Sequence, residues 1–186
     1  MTIRQANPED LDDILSLQEK YHVSNLTVIE QQEKGFVTMK VTSDQFLELI
    51  QKRGVFIAIV DNILAAYALS SDWRFYRQWA IIKEMEAVLP TFTLNNAILK
   101  VDNSFQYGPV CIDEAYRGRN ILAYLFQAIE RYYAKKYAYS ITFINKKNER
   151  SLRAHAKQTP LSIVGSFGFN ENEYFALASE LGARVY

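Results

Sequence analysis

The residues best suited to chemistry gather where an apolar run, Tyr107-Gly108-Pro109-Val110-Cys111-Ile112, gives way to Asp113-Glu114-Ala115-Tyr116 and then to Arg117-Gly118-Arg119-Asn120-Ile121-Leu122. The run reads as a buried strand, and a helical pattern opens at Ile121. A helix start presents unsatisfied backbone N–H groups and a partial positive charge, so a strand–loop–helix turn of this kind can cradle a phosphate. Arg117 and Arg119 add full charges there, and Gly118 lets the backbone approach a ligand. The same residues also fit a solvated loop that happens to carry two arginines. Cys111 is the sole cysteine. It excludes an internal disulfide, and in an apolar strand it reads as a small hydrophobe rather than a nucleophile. With one cysteine and two distant histidines, His22 and His155, no metal site is expected.

The elements that must position this loop alternate between two periods. Ile3 to Ala6 is a strand candidate, and Asn7-Pro8-Glu9-Asp10 is a helix start whose apolar face is Leu11, Ile14, Leu15 and Tyr21. Residues 22 to 41 read as irregular. Thr42 with Gln45 forms a capping box for a helix carrying Phe46, Leu47 and Ile50. Val55 to Val60 and Ile63 to Ser70 form a hairpin through Asp61-Asn62, since both linking residues tolerate positive φ. Trp73, Tyr76, Ala80, Ile81, Met85 and Val88 predict a single helix ending before Pro90, and the stretch from Thr91 to Phe105 is ambiguous. Positions 121, 122, 125, 126, 129 and 133 predict a helix from Ile121 to Tyr133. Tyr139 to Ile144 is a strand, about Asn148 to Lys157 a basic helix, and Ile163 to Phe169 with Tyr174 to Leu181 a closing hairpin. One mixed α/β domain spanning residues 1–186 is the economical reading.

Composition narrows the function classes. Of 186 residues, 49% are hydrophobic and 23% charged, which is globular composition. Lys plus Arg equals Asp plus Glu at 21 each, which argues against a general binder of nucleic acid or anionic membrane. The 11 Phe, 12 Tyr and 2 Trp fall mostly at periodic core positions, so they read as packing rather than as base-stacking platforms. The N-terminus lacks an apolar signal core, and the most apolar stretch, Val55 to Leu69, is interrupted at Asp61-Asn62. A cytoplasmic protein without a membrane anchor is expected.

The order of elements, together with the loop at Arg117, resembles the GNAT superfamily of N-acetyltransferases. In that family a strand leads into a loop of pattern Q/R-x-x-G-x-G/A whose amides hold the pyrophosphate of acetyl-CoA. Arg117 matches the first position, five residues after Ile112, and Gly118-Arg119 matches the common R-G-K or R-G-R form. Asn120 stands where the family usually has Gly, and Leu122 where it has Gly or Ala. Asn is the non-glycine residue most tolerant of left-handed φ, whereas Leu122 must turn into the core if it is not to crowd the ligand. Asn148-Glu149-Arg150-Ser151 resembles the family's N-x-x-[SA] helix start, whose Asn contacts the pantetheine arm.

The resemblance implies a mostly antiparallel mixed sheet flanked by helices, splayed between the strand ending at Ile112 and the one from Tyr139. Acetyl-CoA would be held by Val110, Cys111, Ile112, Arg117, Gly118, Arg119, Asn120, Ile121 and Leu122, with Asn148 and Ser151. It further implies direct acetyl transfer to an amine, with backbone amides near Val110 to Ile112 polarising the thioester carbonyl. The amine must first lose a proton, and Glu114 or Asp113 can serve as base or simply be solvated loop acids. The departing thiolate needs a proton, which the family often takes from a Tyr on the helix where this chain has His155. The other reading of His155 is a buried helix histidine with a satisfied hydrogen bond. Glu30, Glu33, Glu84 and Glu86 can attract a cationic acceptor or be surface charges. His22 reads as a cap-region side chain.

The competing class is a GNAT-shaped acyl-CoA-binding or regulatory domain without catalysis. Acceptor identity is open, and a monomer or homodimer is expected. The zero net charge is also a cancellation. Residues 1–50 carry four basic and nine acidic groups, whereas residues 113–157 carry ten basic and four acidic. That segregation suits a site joining an anionic cofactor to a cationic amine.

Overall fold

The computed structural model describes residues 1–182. In chain order, β1 (Thr2–Gln5) leads into α1 (Leu11–Tyr21), α2 (Val28–Lys34), α3 (Ser43–Gln51), β2 (Val55–Val60) and β3 (Ile63–Ser71). Next come α4 (Trp73–Tyr76), α5 (Ala80–Val88), β4 (Thr93–Leu94), β5 (Ala97–Ile98) and β6 (Ser104–Ile112). The remaining elements are α6 (Ile121–Tyr133), β7 (Tyr139–Asn145), α7 (Glu149–Gln158), β8 (Ser162–Phe169) and β9 (Asn172–Glu180). Among the described residues no helix is long and apolar enough to cross a membrane.

The sheet has the strand order β1-β2-β3-β6-β7-β9-β8. The pairs β1–β2, β2–β3, β7–β9 and β8–β9 are antiparallel, and β6–β7 is parallel. The parallel register comprises Ser104–Tyr139, Phe105–Ser140 and Gln106–Ile141. This is the mixed, mostly antiparallel α/β arrangement expected from the sequence.

The chain divides into two compact units. One joins Met1–Ser70 to Gly108–Ile129, and the other joins Ser71–Tyr107 to the residues from Glu130 onward. In the first unit, the expected helix start at Asn7 is present: a short 3-10 turn, Pro8–Asp10, leads into α1, with the Asn7 N–H donating to Asp10 Oδ2 at 2.7 Å. The β2–β3 hairpin turns through Asp61 (φ 51°) and Asn62 (φ 63°), both left-handed, as their side chains allow. Residues 22–41 are more regular than expected. Thr27 and Glu30 make a capping box that starts α2, missed because its first residues, Val28 and Ile29, are exposed and give no buried stripe. The buried Gln18 carboxamide then bonds both backbone groups of Val41, at 2.8 and 2.9 Å, and ties the end of this segment to α1.

Gly54 packs where no side chain fits. An added Cβ would lie 2.2 Å from the Ser70 carbonyl oxygen and 2.7 Å from Leu49 Cδ1. A Gly54→Ala variant is expected to lose about 1–3 kcal/mol of stability through overpacking, read as a lower urea midpoint at unchanged m.

In the second unit the single helix predicted over Trp73 to Val88 is two helices. The chain leaves helical geometry at Trp79 (φ −102°, ψ 128°), and the Gln78 side chain caps the Phe75 carbonyl at 2.8 Å. The 76-to-80 spacing that suggested continuity spans this break. The ambiguous stretch holds the β4–β5 hairpin, turned by Asn95 and Asn96 at positive φ. Phe105 stacks on Tyr133 at 4.2 Å, and Phe143, Phe167 and Tyr174 form a second aromatic cluster, so these rings serve as core.

Candidate functional site

The candidate residues fall into two groups, one in each unit. The first is built on the end of β6 and the start of α6. Cys111 faces the interior, 4% exposed, with its sulfur 3.7 Å from the Leu17 carbonyl oxygen. Burial pushes its thiol well above the ordinary range, so it is a packing residue and no nucleophile. The Asp113 N–H then donates to the Ala65 carbonyl at 2.9 Å, anchoring the strand end to β3.

The turn after it is closed by its own side chains. Asp113 Oδ1 accepts from the Ala115 N–H at 3.0 Å, and the Tyr116 and Arg117 amides donate back to the Asp113 and Glu114 carbonyls. Burial opposes the Asp113 charge. Even so, the Lys20 ammonium at 2.8 Å, the Ala115 amide and the charge of Arg117 together hold its carboxyl below the usual value. That makes Asp113 a weak base and a structural anchor. The Glu114 carboxylate, by contrast, is exposed, while its N–H donates to the Tyr21 hydroxyl at 2.8 Å. Arg117 donates through Nε to the Ile112 carbonyl at 3.1 Å and lies over the Tyr21 ring at 5.3 Å, so it frames the loop as well as charging it. Arg119 is exposed over Tyr116.

The two positions that depart from the family pattern are accommodated. Gly118 has φ 80° and Asn120 φ 57°, so Asn occupies the left-handed conformation that its short polar side chain permits. Ile121 and Leu122 are each 2% exposed, so the Leu122 side chain lies in the core and does not crowd the loop's outer face. The first amides of α6 have no intrahelical acceptor. These features fit a bound pyrophosphate. What the sequence did not disclose is that Lys20 and Tyr21, at the end of α1, hold this loop; they lie 93 residues away in sequence from the residues they bond.

The second group surrounds α7. Asn148 is its N-cap, with the carboxamide oxygen accepting from the Ser151 N–H at 3.3 Å. His155 is buried. Its Nδ1 lies 2.8 Å from the Ser151 carbonyl oxygen, which can only accept, so this nitrogen carries the proton. Nε2 is thereby the acceptor, 3.4 Å from the Tyr107 hydroxyl. Burial lowers the His155 pKa and the Ser151 carbonyl only partly offsets it, so the imidazole rests neutral. This is the satisfied helix histidine, with its one basic nitrogen directed at the Tyr107 hydroxyl. Tyr107, fully buried with its phenol pushed far up by desolvation, is a partner that sequence reasoning read only as a strand residue.

Of the other candidates, His22 caps the turn after α1 through Ser24, as expected. Glu30 serves its capping box and Lys34 at 3.1 Å; the Thr27 amide first, then Lys34, bring its carboxyl down to about 2. Glu86 pairs with Arg77 at 2.9 Å. Among the described residues, no group of three or more His, Cys, Asp and Glu is placed to hold a metal ion.

No protein-family model and no curated protein matches the chain. Solved structures do match over nearly its whole length. A GNAT-family acetyltransferase from Streptococcus agalactiae superposes with a TM-score of 0.67 at 17% identity, covering 98% of this chain and 96% of that one. An acetyltransferase from Salmonella typhimurium, solved with its cofactor acetyl-CoA, gives 0.64 at 14% identity over 100% and 96%. The ribosomal-protein-alanine N-acetyltransferase of Brucella melitensis gives 0.63 at 18% identity over 97% and 100%. At these identities the likeness is one of fold.

Proposed function

From the premise that the chain carries the GNAT acetyltransferase fold, we propose that it transfers the acetyl group of acetyl-CoA to a primary amine. The observation that carries this reading is the loop at Gly118–Asn120. Gly118 and Asn120 both have positive φ and Leu122 is turned inward, which supports the reading of this segment as a pyrophosphate loop.

Acetyl-CoA, when bound, supplies an activated acetyl thioester. The amides at the start of α6 and the guanidinium of Arg119 hold the phosphates, with Arg117 and Asp113 keeping the loop in shape. Asn148 and Ser151 are the proposed contacts to the pantetheine arm, and the amides of Val110 to Ile112 are proposed to orient the carbonyl oxygen. Glu114, exposed at the turn, is the proposed base that frees the amine of its proton. As the amine nitrogen bonds to the acetyl carbon and the C–S bond breaks, the nitrogen must lose a second proton. The neutral His155 is the proposed carrier, its Nε2 accepting that proton and giving it to the departing thiolate. No specific acceptor is assigned.

Calorimetry with acetyl-CoA, followed by thiol release across a panel of amines, tests the reading. Saturable binding and amine-dependent thiol release are expected. Binding without release with any amine would replace the enzyme by an acyl-CoA-holding domain, and no binding up to millimolar concentration would remove both.

A further inference from the structure

Tyr21 is the last residue of α1 and only 2% exposed, yet it keeps a hydroxyl that burial would penalise if it had no partner. The partner is the Glu114 N–H, 2.8 Å away. Glu114 opens the short 3-10 turn Glu114–Tyr116, and an amide at that position has no acceptor within its own turn. Tyr21 thus caps the turn from outside. Its ring also carries the Arg117 guanidinium on its face at 5.3 Å, and the neighbouring Lys20 pairs with Asp113 at 2.8 Å. The main chain at Tyr21 is itself fixed, because its carbonyl accepts from the Val37 N–H at 2.9 Å and the Val37 carbonyl accepts from the Val23 N–H at 2.9 Å.

We propose that Tyr21 is a positioning residue for acetyl-CoA, holding the turn from Asp113 to Arg117, and so the loop that follows it, in the ligand-ready conformation; this rests on the function proposed above. Phenylalanine would fill the same space and keep the cation–π contact. Only the hydroxyl, and with it the cap on Glu114, distinguishes the two.

The test compares wild type, Tyr21→Phe and a control, Phe46→Leu, which trims a fully buried residue of α3 packed edge-on against Tyr67. Three quantities are measured: the calorimetric Kd for acetyl-CoA, the exchange rate of the Glu114 amide in the unliganded protein, and the thermal midpoint. In Tyr21→Phe the Kd is expected to rise about three- to tenfold and the Glu114 amide to exchange faster, because its acceptor is gone. In Phe46→Leu the midpoint falls while the Kd stays at the wild-type value. A Tyr21→Phe Kd within twofold of wild type overturns the proposal. A Kd in Phe46→Leu raised as much as in Tyr21→Phe also overturns it, since loss of stability alone would then suffice. Failure of wild type to bind acetyl-CoA removes the function reading and this one with it, whereas failure confined to the variant comparison removes this one alone.

Discussion

Replacing Gly118 by valine is expected to weaken acetyl-CoA binding about thirtyfold, corresponding to about 2 kcal/mol, with little change in the stability of the unliganded protein. The backbone at Gly118 has φ 80°, and an added Cβ meets no protein atom within 4 Å, so the substitution is limited by conformation and not by space. A β-branched residue held at positive φ costs about 1–3 kcal/mol. The unliganded loop can relieve that strain by relaxing, whereas the liganded one must restore it, so the cost appears in binding. Gly118→Asn supplies the contrast. Asn tolerates the left-handed region, as Asn120 at φ 57° already does two residues on, and should cost only about two- to threefold. Equal losses in the two variants would point to side-chain crowding of the ligand and would count against a backbone mechanism.

His155→Gln is expected to lower turnover about a hundredfold, the usual scale for loss of a positioned proton-transfer group, and to remove one limb of the pH–rate profile. Unchanged turnover and an unchanged profile would remove the catalytic role and leave the buried helix histidine. A second readout follows from its burial. A histidine whose pKa is lower in the folded than in the unfolded chain binds its proton preferentially when unfolded. Its contribution to stability is therefore complete above the ordinary value of 6.5 and is lost progressively as pH falls below it. His22 is shifted the same way, mainly by its own burial. Each histidine can contribute at most about 1.4 kcal/mol per pH unit, so the wild-type slope between pH 6.5 and 5 should become shallower in His155→Gln, with His22 supplying what remains. Urea unfolding across that window measures it, and an unaltered slope would show that His155 is not the titrating group.

Local chemistry was what the sequence disclosed most faithfully. The helix start at Asn7, the capping box at Thr42, the Asp61-Asn62 turn and the apolar stripe of α6 each depend on residues within a few positions of one another, and all are present in the structure. The box at Thr27 was equally legible in principle, but Val28 and Ile29 point outward and the expected buried period never forms. The split between α4 and α5 was hidden because Phe75, Tyr76 and Trp79 pack their rings together across the break, keeping a helical spacing without a helix. At the loop, the left-handed Asn120 is what its side-chain chemistry permits, whereas the orientation of Leu122 was left open by the sequence and only its burial decides it. The supports from Lys20 and Tyr21 could not be read, because no local period links α1 to a turn that far along the chain. Likewise, the Tyr107–His155 contact joins a strand to a helix 48 residues later, and only the tertiary structure brings them together.

The unit that carries the Asp113–Asn120 turn is made of two separate pieces of chain, Met1–Ser70 and Gly108–Ile129, with Ser71–Tyr107, which belongs to the other unit, between them in sequence. During synthesis the first piece therefore leaves the ribosome with β3 still lacking the strand that anchors to it at Ala65. Completion waits until the intervening segment has been made, and closing so long a loop costs chain entropy before the strand end can anchor. The turn from Asp113 to Asn120 is thus assembled late, and a nascent chain interrupted before β6 would leave β3 with an unpaired edge.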